Sequence, residues 1–539
     1  MKRRDFLKHG ATIGVALNAL PVMMGGFPVK AFGRSPLRDL LAQSATANDH
    51  ILVIVQLAGG NDGLNCVIPY TDPNYSALRP TLGLKPSDNI LPLPDHQSLA
   101  LHFNMSGAAS LYSNKRMAIV QGVGYPDPEL SHFRGTDIWN TSTDSNIYAT
   151  TGWIGRFLSQ LNPNYPPSQI PDGSTPLGIQ FGASLSNLFL SKSGGMGIAI
   201  NQLPTSANKS VHNYDDIPAN PPIPYVELEY VRTIQEETEV YSKTLLNRSV
   251  TTNKVTYPTD NTLGDQLAQV AQCIASGFGT KIYLVYQGGY DTHSNQLSDQ
   301  GANLQDLSDA LKAFQDDLEA FAVADKVLTM TYSEFGRRPQ ENGSGTDHGT
   351  AAPLFIVGTQ VNAGVYGNDP ALDAASLTAG SGNLTYQQDH DFRNIYATMM
   401  YEWLLDGADT DKTALIGNVL TAGDGNTYSQ NASWKYLGLV KSQSNVVTSS
   451  DAPGLMLLEN YPNPVSSQTS IEYVLPASMP VTLGVFNTSG IEVERIIDAR
   501  QEAGTHLAVF KPGSLPSGTY LYRLQTPVGT ITKRMLIVH

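Results

Sequence analysis

Five apolar runs constrain the fold of this chain more than any other feature. They are ILVIVQLA (51–58), RMAIVQGV (116–123), KIYLVYQ (281–287), KVLTMTY (326–332) and PLFIVG (353–358). Each is short, continuous and rich in β-branched or aromatic residues, which is the pattern of a strand buried on both faces. Helical patterns stand between and after them. In NLQDLSDALKAFQDDLEAF, Leu304, Leu307, Leu311, Phe314, Leu318 and Phe321 recur at three and four and make one apolar stripe. DFRNIYATMMYEWLL (391–405) is a second amphipathic helix. This alternation predicts an α/β domain over 48–440, a parallel sheet with helices on both faces. The Pro-, Ser- and Asn-rich stretch 162–224 reads as a long insertion over the active face.

Length and composition narrow the class. With 539 residues, 41% hydrophobic and 15% charged, the chain holds a large core and more than one domain. A formal net charge of -14 argues against a general nucleic-acid binder, which needs a positive surface. Cys66 and Cys273 are the only cysteines, too few for a zinc-finger set, and read as small buried apolar residues.

The two ends have the texture of export signals. Arg3-Arg4-Asp5-Phe6-Leu7-Lys8 resembles the twin-arginine motif, followed by a short, glycine-interrupted apolar segment from Ala11 to Met24. A removed signal peptide over 1–31, with a cleavage region at Val29-Lys30-Ala31, is expected, and no transmembrane span in the mature protein. After a Ser- and Asn-rich linker (441–454), residues 455–539 carry short alternating runs separated by Pro, Gly, Ser and Asn turns, the pattern of a small β-sandwich. Its Asn460-Tyr-Pro-Asn-Pro start, its Gly518-Thr-Tyr-Leu-Tyr-Arg run and its Lys-Arg-plus-apolar end resemble the C-terminal sorting domain of the type IX secretion system of Bacteroidetes. That resemblance implies handling by the type IX machinery and delivery to the cell surface or the medium.

In open α/β sheets, ligands bind beyond the carboxyl ends of the strands. There the chain places Asp62 in AGGNDG, Ser131-His132-Phe133-Arg134, Asp291 and His293 in GGYDTH, and Glu334 in TYSEFGRR, with Asp347-His348 just before the fifth run. Carboxylates and imidazoles from several loops are what a divalent-cation site needs. Each residue also has a plain structural reading: Asp62 as a turn former, Asp291 and His293 as a loop pair, His348 as a surface histidine, Ser131 as a helix cap. The glycines before Asp62 read as room for an ion and its substrate to approach the backbone. A helix amino terminus at Ser131 would attract an anion, Arg134 would add a fixed positive fork, and the Ser131 hydroxyl beside a metal would serve as nucleophile. His132 reads equally as ligand, proton donor or core residue.

The pieces QLAGGNDGLN, SHFRGTDIWNT, GGYDTHSNQ, SEFGRRPQENGSGTDHGTAAPLFIVG and DFRNIYATMMYEWLL resemble a bacterial family of twin-arginine-exported proteins defined by a domain of unknown function. That family in turn resembles the alkaline phosphatase and sulfatase superfamily. The resemblance implies an alkaline-phosphatase-like fold and one or two divalent ions (zinc, calcium, magnesium or manganese) held by Asp62, Asp291, His293, Glu334, Asp347 and His348. It also implies Ser131 as the nucleophile. The chain departs from the superfamily pattern at two places. One residue separates Asp291 from His293 where three are usual, and Phe335 follows Glu334 where a histidine is expected. Asp347-His348 is then either that missing pair, or His348 is the superfamily's final histidine. The expected activity is hydrolysis of phosphate or sulfate esters of a small molecule or glycan. The alternative is a non-catalytic surface protein that binds a glycan or an anionic ligand. A metalloprotease is set aside because the chain contains no HExxH.

Overall fold

The computed structural model describes residues 48–163, 174–203, 251–406, 412–421, 434–441 and most of 456–538, apart from a few isolated positions. The export motif at residues 3–8, the cleavage region at 29–31 and the linker at 442–454 lie outside the described residues. The chain divides into two compact units, 1–442 and 443–539.

In the first unit the elements run β1 (Ile51–Leu57), α1 (Ser106–Ser113), β2 (Met117–Val123), α2 (His132–Thr141), α3 (Trp153–Leu161), β3 (Gly178–Phe181) and β4 (Ile198–Ile200). They continue with α4 (Thr262–Ala275), β5 (Ile282–Gln287), α5 (Gln296–Ala320), β6 (Val327–Tyr332), a hairpin of β7 (Gly336–Glu341) and β8 (Thr346–Gly349), β9 (Ala352–Val357) and β10 (Gly364–Tyr366). Last come α6 (Phe392–Thr398), a π-helical turn (Met399–Leu404) and α7 (Lys412–Leu420). The second amphipathic helix expected from the sequence is therefore an α-helix running into a π-helical turn.

Eight strands form one sheet in the order β4-β3-β5-β1-β6-β9-β2-β10. All neighbouring pairs are parallel except those of β9, which runs antiparallel to both β6 and β2. The stretch expected as an insertion supplies β3 and β4 to this sheet, so 162–224 is in part sheet edge rather than a cover. Alternation along β1 shows why the sheet is covered on both sides. Val53, Val55 and Leu57 enter the core with α1, α4 and α5, while Leu52 and Ile54 enter the core with α2, α3, α6 and α7. Burying these five side chains contributes on the order of 10 kcal/mol before chain entropy, enough to fix β1 at the centre of the sheet.

The helix α5 begins at Gln296, eight residues before the apolar stripe starts at Leu304. Its first turns are polar, and Gln296 and Gln300 are buried there. A period of apolar residues does not register such a start.

The second unit packs a three-stranded antiparallel sheet against a four-stranded one. The first contains β11 (Met456–Leu457), β12 (Thr469–Leu475) and β15 (Gly504–Phe510). The second contains β13 (Met479–Phe486), β14 (Glu492–Gln501), β16 (Gly518–Thr526) and β17 (Gly529–Ile537). Ile471, Tyr473, Leu483, Val485, Tyr522 and Met535 fill the space between. No helix among the described residues is long and apolar enough to cross a membrane.

Candidate metal centre

Parallel register places the carboxyl ends of β1, β5 and β6 side by side, since Gln56 pairs with both Tyr286 and Tyr332. The loops that follow are therefore neighbours. Gly59, with φ +121°, lies so close to the loop after β5 that a Cβ there would sit 2.3 Å from the Asp291 nitrogen. At Gly60, with φ +78°, a Cβ would sit 2.5 Å from the Phe335 ring. The glycines admit backbone and an aromatic ring, not an ion and substrate as the sequence reading held. The Gly59 N–H donates to Glu334 Oε1 at 2.8 Å.

Above this junction three side chains meet. His132, Asp291 and His348 each present one ligand atom, all within 4.8 Å of one another. His132 Nδ1–H donates to Glu334 Oε1 at 2.8 Å, and His348 Nδ1–H donates to the Leu130 carbonyl at 2.8 Å. With Nδ1–H committed to an acceptor in each ring, both Nε2 atoms face one carboxylate, and in the neutral ring each presents a lone pair to it. The separations are 3.4 Å from His132 Nε2 to Asp291 Oδ2 and 3.3 Å from His348 Nε2 to Asp291 Oδ1. His293 Nε2 stands 3.1 Å from Asp291 Oδ1 and 3.0 Å from His348 Nε2. Lone pairs aimed at a carboxylate repel it unless a proton or a cation stands between them. Ligands at roughly 2.0–2.1 Å around a tetrahedral cation are about 3.3 Å apart. The donor set and its spacing fit a divalent cation.

Asp291 is held as an anion. Partial burial pushes its carboxyl up, but the hydrogen bond and the charge of Arg337 outweigh that and hold it below the usual carboxylate range. Arg337 is buried and reaches Asp291 Oδ1 at 2.6 Å. Its guanidinium also donates to the carbonyls of Gly59, Gly60, Tyr290 and Thr346, tying the ends of three loops to one rigid fork. Phe335, in the position where a histidine was expected, packs its ring 5.0 Å from His132 and 4.5 Å from His348.

The remaining expected residues are placed differently. Asp62 lies outside the group: its oxygens accept from Arg79 Nη1 at 2.5 Å, Arg79 Nη2 at 2.9 Å, Leu64 N at 3.2 Å and Gln296 Nε2. Both oxygens are thus closed by N–H donors in a fully buried ion pair, which replaces its reading as a ligand. Glu334 touches His132 rather than the centre, and so orients a ligand rather than acting as one. Asp347 lies 3.5 Å from His293 Nδ1, on the exposed rim. The Arg134 guanidinium donates to Asp137 and to the carbonyls of Asp144, Ser145 and Ile147, and stacks 4.0 Å over Tyr148. It pins the 144–148 loop, and this replaces its reading as an anion fork. Ser131 does stand at the N-cap of α2, but its side chain makes no capping bond. Arg337, Arg79 and Gln296 were missed by the sequence reading. Only the first arginine of SEFGRR, Arg337, gave a local signal, and nothing along the chain links Arg79 to Asp62. Cys66 and Cys273 are free and buried, and burial pushes both thiols up to about 12.

Residues 222–413 match the family model "Protein of unknown function (DUF1501)", and residues 459–538 match the "Secretion system C-terminal sorting domain". These matches bear out both resemblances drawn from the sequence. None of the curated proteins matches the chain. Among solved structures, the chain is similar to a protein in the alkaline phosphatase superfamily from Vibrio parahaemolyticus, at 12% identity over 86% of this chain and 90% of that one, with TM-score 0.33. It is also similar to the PsFucS1 sulfatase from Pseudoalteromonas sp., at 10% identity over 89% and 88%, with TM-score 0.30. A further match is PorZ, a surface component of the type IX secretion system of Porphyromonas gingivalis, at 15% identity with TM-score 0.12. It covers 16% of this chain and 12% of that one.

Proposed function

We propose that this protein is an exported, cation-dependent hydrolase of phosphate or sulfate esters. The observation that carries the reading is the convergence of the Nε2 atoms of His132 and His348, each ring with its Nδ1 already bonded elsewhere, on the Asp291 carboxylate. These three residues would hold one divalent cation, leaving a fourth position for substrate, as in catalytic sites with three protein ligands. A bound divalent cation supplies charge neutralisation for ester oxygens and lowers the proton affinity of a hydroxyl held against it.

Ser131 would be the attacking group. It lies between Leu130, whose carbonyl binds His348, and His132 itself, so both neighbours tie it to the cluster. Its hydroxyl is exposed and free of a capping bond, at the amino end of a ten-residue helix whose open N–H groups favour an anion. His293, half exposed on the rim, would protonate the leaving group. The sorting domain directs the protein to the cell surface through type IX secretion, and we assign the crossing of the inner membrane to the twin-arginine route.

Closure of Asp62 by Arg79 favours the non-catalytic reading, because it removes the ligand expected after the first strand and leaves a single-cation site. The two separate on purified full-length protein. Metal content by plasma mass spectrometry and turnover of nitrophenyl phosphate and nitrophenyl sulfate are measured for wild type, Ser131→Ala and His348→Ala. Bound metal lost in His348→Ala, with turnover lost in both variants, supports the hydrolase. Metal binding without turnover of any aryl or glycan ester supports the binding protein.

A further inference from the structure

A second feature lies at the same edge of the sheet, beside the metal centre. β3 pairs with β5 only as far as Gln180 and Leu284, and β5 then continues for three residues beside β1 alone. The strand edge left open at Tyr286 is filled by a side chain instead of a strand. Gln266 Oε1 accepts from the Tyr286 N–H at 3.0 Å and its Nε2 donates to the Tyr286 carbonyl at 2.9 Å. Where β3 diverges, a cleft of about 540 Å³ opens between the ends of β1, β3, β4 and β5 and the first turns of α4.

Most of the lining side chains are polar, and Phe181, Ala183 and Leu284 supply an apolar part. Gln56, Asn201, Gln202 and Asp265 supply amide and carboxylate groups, and Tyr286 presents a ring that is 48% exposed. Among the described residues, no lysine, arginine or histidine lines it. A cleft without cations does not suit a phosphate or sulfate group. Amides that both donate and accept match vicinal hydroxyls, which do the same, and an exposed tyrosine face packs on the C–H side of a pyranose ring. The cleft also belongs geometrically to the cluster. The Ala58 N–H donates to Gln287 O at 2.9 Å, and the next residue, Gly59, binds Glu334. Burial pushes the Tyr286 hydroxyl up, and the negative charge of Glu334 adds to this.

We propose that this cleft is a carbohydrate subsite that takes an uncharged sugar unit of a glycan whose ester group sits at His132, Asp291 and His348. Only the placement of the ester rests on the hydrolase reading; the sugar site stands on its own lining.

The test uses calorimetric titration of the full-length protein with unsulfated, unphosphorylated hexasaccharides of β-1,4-glucan, β-1,3-glucan, β-1,4-mannan and β-1,4-galactan. At least one is expected to bind, with affinity falling tenfold or more in Tyr286→Ala and in the double variant Asn201→Ala/Gln202→Ala. The double variant changes exposed residues and keeps the fold testable if Tyr286→Ala unfolds. Sugar binding in His348→Ala is expected to match wild type. Absence of binding by all four, or binding untouched in both cleft variants, overturns the subsite. Intact sugar binding in a protein that neither holds metal nor turns over esters overturns the hydrolase reading alone.

Discussion

His132 and Glu334 are joined by a 2.8 Å bond from Nδ1–H to Oε1, while Glu334 Oε2 is buried with no hydrogen-bond partner among the described residues. Two N–H donors, His132 Nδ1–H and Gly59 N–H, thus share one oxygen of a carboxylate excluded from water. The pair fixes the His132 tautomer and aims Nε2 at the centre. Removing such a partner costs about 10- to 100-fold in metal affinity. Glu334→Ala is therefore expected to weaken zinc or manganese binding by that range in a chelator competition. An affinity equal to wild type would mean that His132 needs no orienting group.

Asp62 and Arg79 form the opposite kind of pair, closed and outside the group of His132, Asp291 and His348. Asp62→Asn leaves a buried guanidinium without its counter-charge, a loss of about 3–5 kcal/mol in such settings. Denaturant unfolding should show that loss while cation affinity changes by less than about twofold. A collapse of metal binding in a protein that remains fully folded would restore Asp62 as a ligand.

Ser131 contributes nothing to capping through its side chain, so Ser131→Ala should leave stability within about 0.5 kcal/mol. Turnover of the preferred ester should fall by more than about 10³-fold if its hydroxyl is the nucleophile. Unchanged turnover in this variant would transfer the attack to a water molecule.

Stability should also depend on pH through His102. Burial pushes this imidazole from 6.5 down to about 4, and its Nδ1 accepts the Asn104 N–H at 3.1 Å. The unfolded chain takes up the proton first, so stability held above pH 6.5 is lost as pH falls toward 4. The full loss is about 3 kcal/mol. His102→Gln should flatten the unfolding free energy across this window. A profile as steep as wild type would assign the loss to other groups.

Gly60→Ala tests the packing under the site. A positive φ and a ring atom 2.5 Å away make the substitution strained, at a cost of about 1–3 kcal/mol. Because Phe335 touches His132 and His348, its displacement should weaken cation binding as well. Phe335→Ala in the same background is expected to recover part of the stability, whereas no recovery would place the strain elsewhere.

The strands were legible because their side chains are apolar on both faces, and the observed bounds differ from the apolar runs by about one residue at each end. Asp291, His293 and Glu334 were legible as loop-end residues because β5 and β6 are parallel neighbours of β1, so their carboxyl ends share an edge. His348 was legible only as a residue type. It precedes its strand, and in an all-parallel sheet that would put it at the far edge. The reversed direction of β9 brings its amino end to the site, and strand direction is set by pairing across the sheet, not by the composition of PLFIVG. The same limit applies to Asp62. Its carboxylate belongs to Arg79 because the two meet in a buried space that only the assembled fold encloses, where an anion needs its counter-charge within hydrogen-bond reach.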